Sequence, residues 1–560
     1  KILKTLTSQY DKKRVIGVGS FQLFWPVFGG FRVVVGRILG TIVLLTAIGC
    51  QITGAATIYV NESGWWVEIT CNGVLDDGEQ YNQSSTPISS AIGYADDGDE
   101  IIVKDGTYTE KVQVNKRLTL RSENGSANCI ISSQNMTVTV SANYVSITGF
   151  SVNSSCYGYP TIWVQANYVN VTSCTVENYY SVSNGFVYGY GIIVNGSYCT
   201  IAGNLIRNCD KGVKVYSNYT EVASNEFSNT GSDIVLSGAW YCSVHNNEGN
   251  VELYDSHFND VFDNNCSNHD YGIYMFSSSN NIIDNNTALF CEYGIYMSRS
   301  DFNEILSNNC SSSDYGVALI YSSWNTVHNN TCLNDTYAIL LGYDQSLGEG
   351  FTSMNNEISE NNCSLSTYGI YENYAGSNRI INNTVSDNQY GLYFAYSDSN
   401  DVSDNVIANN NCGAHLDNSS YNWITYNNFF GNSYGMNLTY SSYSYLFMNN
   451  FVDNTYNVYS QDSDNTWNTP WEVWYEYNSS LYQGYLGNYW GDYVGTDHDK
   501  DGIGDSPYEI DNDCDNYPLM DSSENYVILG LGGEVPPIPE LPVVLLVCVA
   551  MVLVFGRVKP

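Results

Sequence analysis

Tyr271-Gly272-Ile273-Tyr274-Met275 returns 22 residues later as Tyr293-Gly294-Ile295-Tyr296-Met297. Variants follow at Tyr315-Gly-Val-Ala-Leu319, Tyr337-Ala-Ile-Leu-Leu341, Tyr390-Gly-Leu-Tyr-Phe394 and Tyr434-Gly-Met-Asn-Leu438. Alternation of period two points Ile273 and Met275 inward and Tyr274 outward. A repeat this short has no room for a βαβ unit. It has room for two or three short strands joined by tight Ser, Asn and Gly turns. Coiling such units stacks like residues at about 4.8 Å, the strand spacing of a sheet.

A second series keeps the same beat. Asparagines recur at Asn204, Asn225, Asn247, Asn264, Asn285, Asn308, Asn330, Asn361, Asn383, Asn405, Asn427 and Asn449. Three residues before each stands an apolar marker: Ile201, Val222, Val244, Val261, Ile282, Ile305, Val327, Ile358, Ile380, Val402, Ile424 and Leu446. Ile147 and Val171 extend the markers backwards. The expected fold is therefore all-β: a single-stranded right-handed parallel β-helix of about 14 rungs, ~22 residues each, with a cap at either end. The asparagines have a structural reason to be there. A bend between strands leaves backbone groups without ladder partners, and an Asn amide both donates and accepts. The steps from Val171 to Ile201 and from Val327 to Ile358 are longer, which places insertions near 177–190 and 343–352.

The organisation expected along the chain is a leader at 1–56, an N-terminal cap at 57–116 and the β-helix at 117–460. An aromatic, acidic C-terminal cap at 461–520, a linker at 521–540 and a hydrophobic anchor or sorting tail at 541–560 follow. In the leader, Arg32 and Arg37 precede the apolar run Ile38–Gly49, with small residues at Gly54-Ala55-Ala56, as in a secretory signal. In the first cap, Pro87–Asp96 reads as a short helix with Ile88, Ala91 and Ile92 on one face. The 560 residues carry a formal charge of −38. Residues 1–56 hold seven basic side chains and one acidic, so the remainder carries −44. Such a surface repels nucleic acid and acidic lipid and favours cations. Between 131 and 470 the only Lys and Arg are Arg207, Lys211, Lys214, Arg299 and Arg379.

Several groups are candidates for chemistry. Asp497, Asp499, Asp501 and Asp505, with the Ile503 carbonyl, fall at calcium-loop offsets, although Tyr508 stands where that loop has its bidentate acid. The shortest step, Val244 to Val261, gathers His245, Glu248, Glu252, Asp255, His257 and Asp260, of which Asp255, His257 and Asp260 are the candidate acid–base set. Outward Tyr274, Tyr296, Tyr371 and Tyr393 are candidates for stacking sugars. Sequons at Asn61, Asn82, Asn124, Asn135, Asn153, Asn195, Asn218, Asn437 and Asn478 indicate a glycosylated surface protein. Asn285 is also a sequon but, as a ladder member, is expected to stay unmodified. Cys266, Cys310, Cys332 and Cys363 share a column with Val, Ile and Phe, which reads as core filling; disulfides between them are geometrically tight. Glu372 stands where Met275 stands in another rung, leaving a buried acid or a change of register open.

These rungs resemble the NosD-like parallel β-helix repeat family, common among archaeal surface proteins. The resemblance covers about residues 87–520. Asp97–Val103 with Gly106–Glu110 is similar to that family's N-terminal cap, and Gly487–Tyr493 with Asp515–Leu519 to its C-terminal cap. Pro539-Glu-Leu-Pro542 resembles an archaeal Pro-Glu-Phe sorting signal, with Leu541 in place of Phe. The family name implies copper maturation, but clustered His and Met ligands are missing here. The functional expectation is an exported, glycosylated cell-surface protein with a structural or adhesive role, leaning away from enzyme. Its partners would be envelope glycans or proteins, further copies, and the membrane through the tail. A polysaccharide hydrolase or lyase and a calcium-dependent sugar-binding module are the alternatives.

Overall fold

Inward Val and Ile at every second position of three-residue strands leave one edge of each rung to be paired by the next. From Glu100–Val103 to Tyr445–Phe447 these strands pair in parallel, each with its neighbour one turn on. The computed structural model describes residues 55–531, apart from 70–73, 76–78, 156–157, 179–188, 343–351 and 512. The leader before residue 55, most of both insertions, the end of the linker and the apolar tail lie outside the described residues. The chain is a parallel β-solenoid of about 16 turns, roughly 75 Å long at the strand spacing of a sheet. No helix among the described residues is long and apolar enough to cross a membrane.

Each rung contributes to two long sheets. The three-residue marker strands make the first sheet. The Tyr-Gly-Ile-Tyr-Met strands make the second, with Ile273, Ile295, Val317, Ile339 and Ile370 in register. A shorter third sheet runs from Thr331–Leu333 to Tyr489–Trp490. Its inward column is Cys332, Cys363, Val385, Ile407, Phe429 and Phe451, all fully buried. Cys332 and Cys363 are paired in register as free thiols.

The asparagine ladder forms, with one correction. In the rung after Val261 the buried marker is Ile283, and Ile282 is exposed. The ladder member is accordingly Asn286, not Asn285, and the core residue five positions after the marker is Ala288. Asn286 Nδ2 donates to the Val261 carbonyl (2.9 Å) and to Asn308 Oδ1 (3.0 Å). Its Oδ1 accepts from the backbone and side-chain N–H groups of Asn264, each at 3.0 Å. Asn285 is instead an exposed corner residue in the left-handed region (φ 52°). The same pattern links Asn264, Asn308, Asn330, Asn361, Asn383, Asn405, Asn427 and Asn449, and ends on Asn488.

Two further polar columns close the other corners. One runs through Asn259, Asn281, Asn303, Asn325 and Asn356. The other runs through Asn388, Asn410, Asn432 and Asn454. Glu372 enters the core without a change of register, between Leu341 and Phe394. It accepts from Asn378 Nδ2 (3.0 Å) and Asn400 Nδ2 (2.7 Å).

Both ends are covered. Helix Pro87–Tyr94 buries Ile88, Ala91 and Ile92, and the Glu110 carboxylate accepts from the Ile88 and Ser89 N–H groups at its N-terminus. At the far end Phe429, Phe451, Trp490 and Tyr508 stack in sequence at 4.9, 4.5 and 4.2 Å. Buried Asp515 accepts from Trp490 Nε1 (2.9 Å) and holds this cap to the last rung.

Candidate functional site: aromatic ridges and an acidic cap

Three residues before each marker the chain turns from the second sheet back into the first, in a left-handed conformation. Asn280, Asn355, Ser377 and Ser399 show that small polar residues suffice there. Six successive earlier rungs use Tyr144, Tyr168, Tyr198, Tyr219, Tyr241 and Phe258 instead, all at φ 57–60°. A bulky side chain in that region is a steric outlier, so backbone geometry does not explain the choice. Neighbouring rings stack at 4.6, 5.1, 4.8, 5.2 and 5.3 Å. They remain 40–58% exposed. The ridge resumes as Phe302–Trp324 and Tyr421–Tyr443. The recurring aromatic three residues ahead of the marker was a sequence signal for it, but carried no sign of exposure.

The outer face of the second sheet is aromatic too. Tyr271, Tyr293, Tyr315, Tyr337, Tyr368 and Tyr390 form an unbroken half-buried column with centroids 4.5–5.3 Å apart. Tyr274, Tyr296, Tyr371 and Tyr393 lie beside it. Their rings meet the column at 78° for Tyr271–Tyr274 and 89° for Tyr390–Tyr393. The structure brings these four to one face in two adjacent pairs, separated by Ala318 and Leu340. Burial, together with the neighbouring acids and phenols, raises the phenol pKa of Tyr293 above its ordinary value and takes Tyr371 to about 12, so both are neutral hydroxyls at ordinary pH.

Beyond Tyr274 this face turns ionic. Glu252 Oε1 accepts from Ser232 Oγ (2.5 Å), its Oε2 from Tyr254 OH (3.2 Å), and Lys211 Nζ donates to Ser232. Arg207, Lys211 and Lys214 share the strand Leu205–Val215, which gathers three of the few cations of the solenoid. The sequence shows these cations, but not that one strand carries them.

The acid–base candidates do not converge. Asp255 is an exposed corner residue, Asp260 begins a first-sheet strand, and His257 Nδ1 accepts the Ser279 N–H (3.0 Å). Among the described residues no hydrogen bond joins the three. The acidic loop is better formed. Asp497, Asp499 and Asp501 place carboxylate oxygens within 4.8 Å of one another. Asp497 also accepts from the Lys500 and Gly502 N–H groups (2.6 and 3.0 Å), which folds the loop around it. Burial pushes the Asp501 carboxyl above its ordinary value. Asp505 is turned elsewhere. Its Oδ2 bonds the His498 ring and Thr496 Oγ1, and the His498 contact holds its carboxyl below the ordinary value. Ile503 pairs with Leu519 across a short antiparallel bridge. The nine sequon asparagines Asn61, Asn82, Asn124, Asn135, Asn153, Asn195, Asn218, Asn437 and Asn478 are all exposed or half-exposed.

Residues 242–346 and 351–495 match the family described as periplasmic copper-binding protein (NosD). These rungs are similar to NosD-family repeats. The NosD description raises the question of copper, which favours imidazole and sulfur ligands. Here each histidine serves a different place: His245 faces Glu221 (3.2 Å), His269 faces Asp233 (3.4 Å), and His415 stacks on Tyr393 (4.8 Å). Met275, Met297 and Met436 are sealed in the core. The one three-residue ligand group among the described residues, Asp497, Asp499 and Asp501, offers only carboxylate oxygens. The donor set fits a hard cation and does not fit copper.

The chain is also similar to a cell surface glycoprotein of Methanothermus fervidus, 38% identical over 94 residues. That match spans 17% of this chain and 14% of the relative's length. Among solved structures, the Dettilon tailspike protein aligns with TM-score 0.39 and 14% identity, over 60% of this chain and 68% of that one. A mannuronic acid specific polysaccharide family 6 lyase from human gut microbiota aligns with TM-score 0.37 and 14% identity, over 57% and 84%.

Proposed function

We propose that this is a cell-surface solenoid with a structural and adhesive role, which holds neutral polysaccharide along its aromatic ridges. The observation that carries the reading is the corner ridge from Tyr144 to Phe258: six exposed rings kept in a left-handed conformation that small polar residues fill elsewhere. Aromatic edges and phenol hydroxyls present apolar surface and hydrogen bonds together, which suits sugar rings. The formal charge of −38 repels acidic polymers and leaves neutral ones as the favoured class. The partial likeness to a cell surface glycoprotein supports the location. The test is a panel of neutral and acidic polysaccharides, scored for retention of the full chain and for release of soluble sugar. Retention on neutral polymers without release supports the proposal. Sugar release abolished by Asp255→Ala or Asp260→Ala would replace it with a hydrolase.

A second reading rests on the clustered carboxylates of Asp497, Asp499 and Asp501: the C-terminal cap binds calcium, and binding stiffens the end of the solenoid. Calcium added to chelator-treated protein then raises the thermal midpoint, and Asp499→Asn removes the rise. An unchanged midpoint in the wild-type chain refutes it.

A further inference from the structure

We propose that six consecutive rungs carry a band of N-linked glycans along the corner that leaves the first sheet, one acceptor per rung at that corner, at Asn265, Asn285, Asn309, Asn329, Asn362 and Asn382; Asn334-Asp-Thr336, a further sequon on the fourth of these rungs, lies beyond it. The proposal rests on the reading of the chain as an exported surface protein. Each of the six opens an Asn-x-Ser/Thr triplet: Asn265-Cys-Ser267, Asn285-Asn-Thr287, Asn309-Cys-Ser311, Asn329-Asn-Thr331, Asn362-Cys-Ser364 and Asn382-Asn-Thr384. The middle residue points inward every time. Cys266, Cys310 and Cys363 are core, and Asn286, Asn330 and Asn383 are buried ladder members. Acceptor and hydroxyl residue flank that inward side chain, with Asn285, Asn329 and Asn382 at left-handed corners and Ser364 tucked against Asn362, to whose Oδ1 its hydroxyl donates (2.7 Å). Five of the acceptors are exposed and Asn309 is half-buried.

Their placement alternates. Asn265, Thr287, Asn309 and Thr331 bridge directly from rung to rung, and Thr331, Asn362 and Thr384 continue the column. Asn285, Asn329 and Asn382 lie two residues earlier, at the corner, on the intervening rungs. Within either column, acceptors are two rungs apart, roughly 10 Å by the strand spacing. Acceptors on every rung of one column would stand roughly 5 Å apart, too close for two branched sugars side by side. The backbone repeats every rung, so it does not impose a period of two. Nor does the corner need the triplet: later rungs place Asp404 and Val406, Tyr426 and Asn428, or Met448 and Asn450 at the same positions with no sequon.

The amides differ in the same sense. Ladder residue Asn286 spends its Nδ2 hydrogens on the Val261 carbonyl and Asn308 in a buried site. On the surface, Asn265 Nδ2 donates to Glu248 (2.9 Å), Asn285 Nδ2 to Asp263 (2.7 Å) and Asn329 Nδ2 to Ser307 (3.2 Å). One N–H serves each of these contacts, and a secondary amide keeps one. The donor class is a lipid-linked oligosaccharide. The bond from its sugar C1 to the lipid phosphate oxygen breaks, the Nδ2–C1 bond forms, the lipid phosphate departs, and one amide proton passes to a base of the transferase.

The experiment is site-resolved glycopeptide mass spectrometry on the full chain isolated from the cell envelope. Chymotrypsin is the protease of choice, because Arg299 and Arg379 are the only Lys or Arg between 261 and 390. Glycans on the six named asparagines, with Asn286, Asn330 and Asn383 bare, support the band. Glycans on other sequons with all six bare overturn it and leave the surface reading standing. A chain without any glycan overturns both. As a second arm, Thr287→Val, Thr331→Val and Thr384→Val each keep the acceptor and the β-branch. Each is expected to remove one glycan mass; an unchanged mass overturns the assignment at that site.

Discussion

At the scale of single residues, Glu372 places a carboxyl among apolar columns, and burial pushes it up to about 8 from an ordinary 4.5. Burial does the same to Asp335, also to about 8. Each holds its proton more tightly in the folded chain than in the unfolded one. The stability they contribute is full below the ordinary carboxylate range and is lost as pH rises through about 8. For Glu372 the loss is on the order of 4 kcal/mol between pH 4 and pH 8. Thermal midpoints should therefore fall over that interval. Glu372→Gln should flatten part of the slope and leave the rest to Asp335. A slope unchanged by the substitution would show that Glu372 does not carry it. The sequence showed that an acid stands in the Met275 column. It could not show that the corner residues Asn378 and Asn400 donate their side-chain N–H groups to that carboxyl in the core.

At the scale of the rung, one-residue precision matters. Asn286→Ala should orphan the Val261 carbonyl and the Asn264 N–H in a buried corner and cost on the order of 3 kcal/mol. Asn285→Ala, at an exposed left-handed corner that Asn tolerates better than Ala, should cost only about 1 kcal/mol. Denaturation of the two variants side by side checks the register. Asn285-Asn286 and Ile282-Ile283 are doubled residues, so a rule of Asn three after an apolar residue fits twice. Even steps of 22 would have chosen the second pair. The repeat, the inward Ile and Met columns and the outward tyrosines were legible because strand alternation is written in residue type. The corner ridge was not, because the sign of φ is not. Tyr198→Asn should exchange ring stacking, worth about 1 kcal/mol, for an easier left-handed corner. Its stability should hardly move while polysaccharide retention falls; loss of fold would make Tyr198 a structural residue.

At the scale of the molecule, the three polar columns withdraw the most regular asparagines from any recognition role. What the solenoid shows outward is aromatic at the corner before the first sheet and on the second, and rich in sequons along the corner into the third. The candidate cation loop was legible as an offset pattern. Its geometry keeps Asp497, Asp499 and Asp501 and turns Asp505 to His498, which spacing alone does not reveal. The ridge is the feature on which the adhesive account depends. Its most direct test is co-sedimentation of the full chain with insoluble neutral polysaccharide, comparing wild type with a variant in which Tyr168, Tyr198, Tyr219 and Tyr241 are all replaced by Asn. The account predicts that wild type pellets with the polymer and that the folded variant binds at least about tenfold more weakly, a difference of about 1.4 kcal/mol. Equal binding by the two proteins would contradict it.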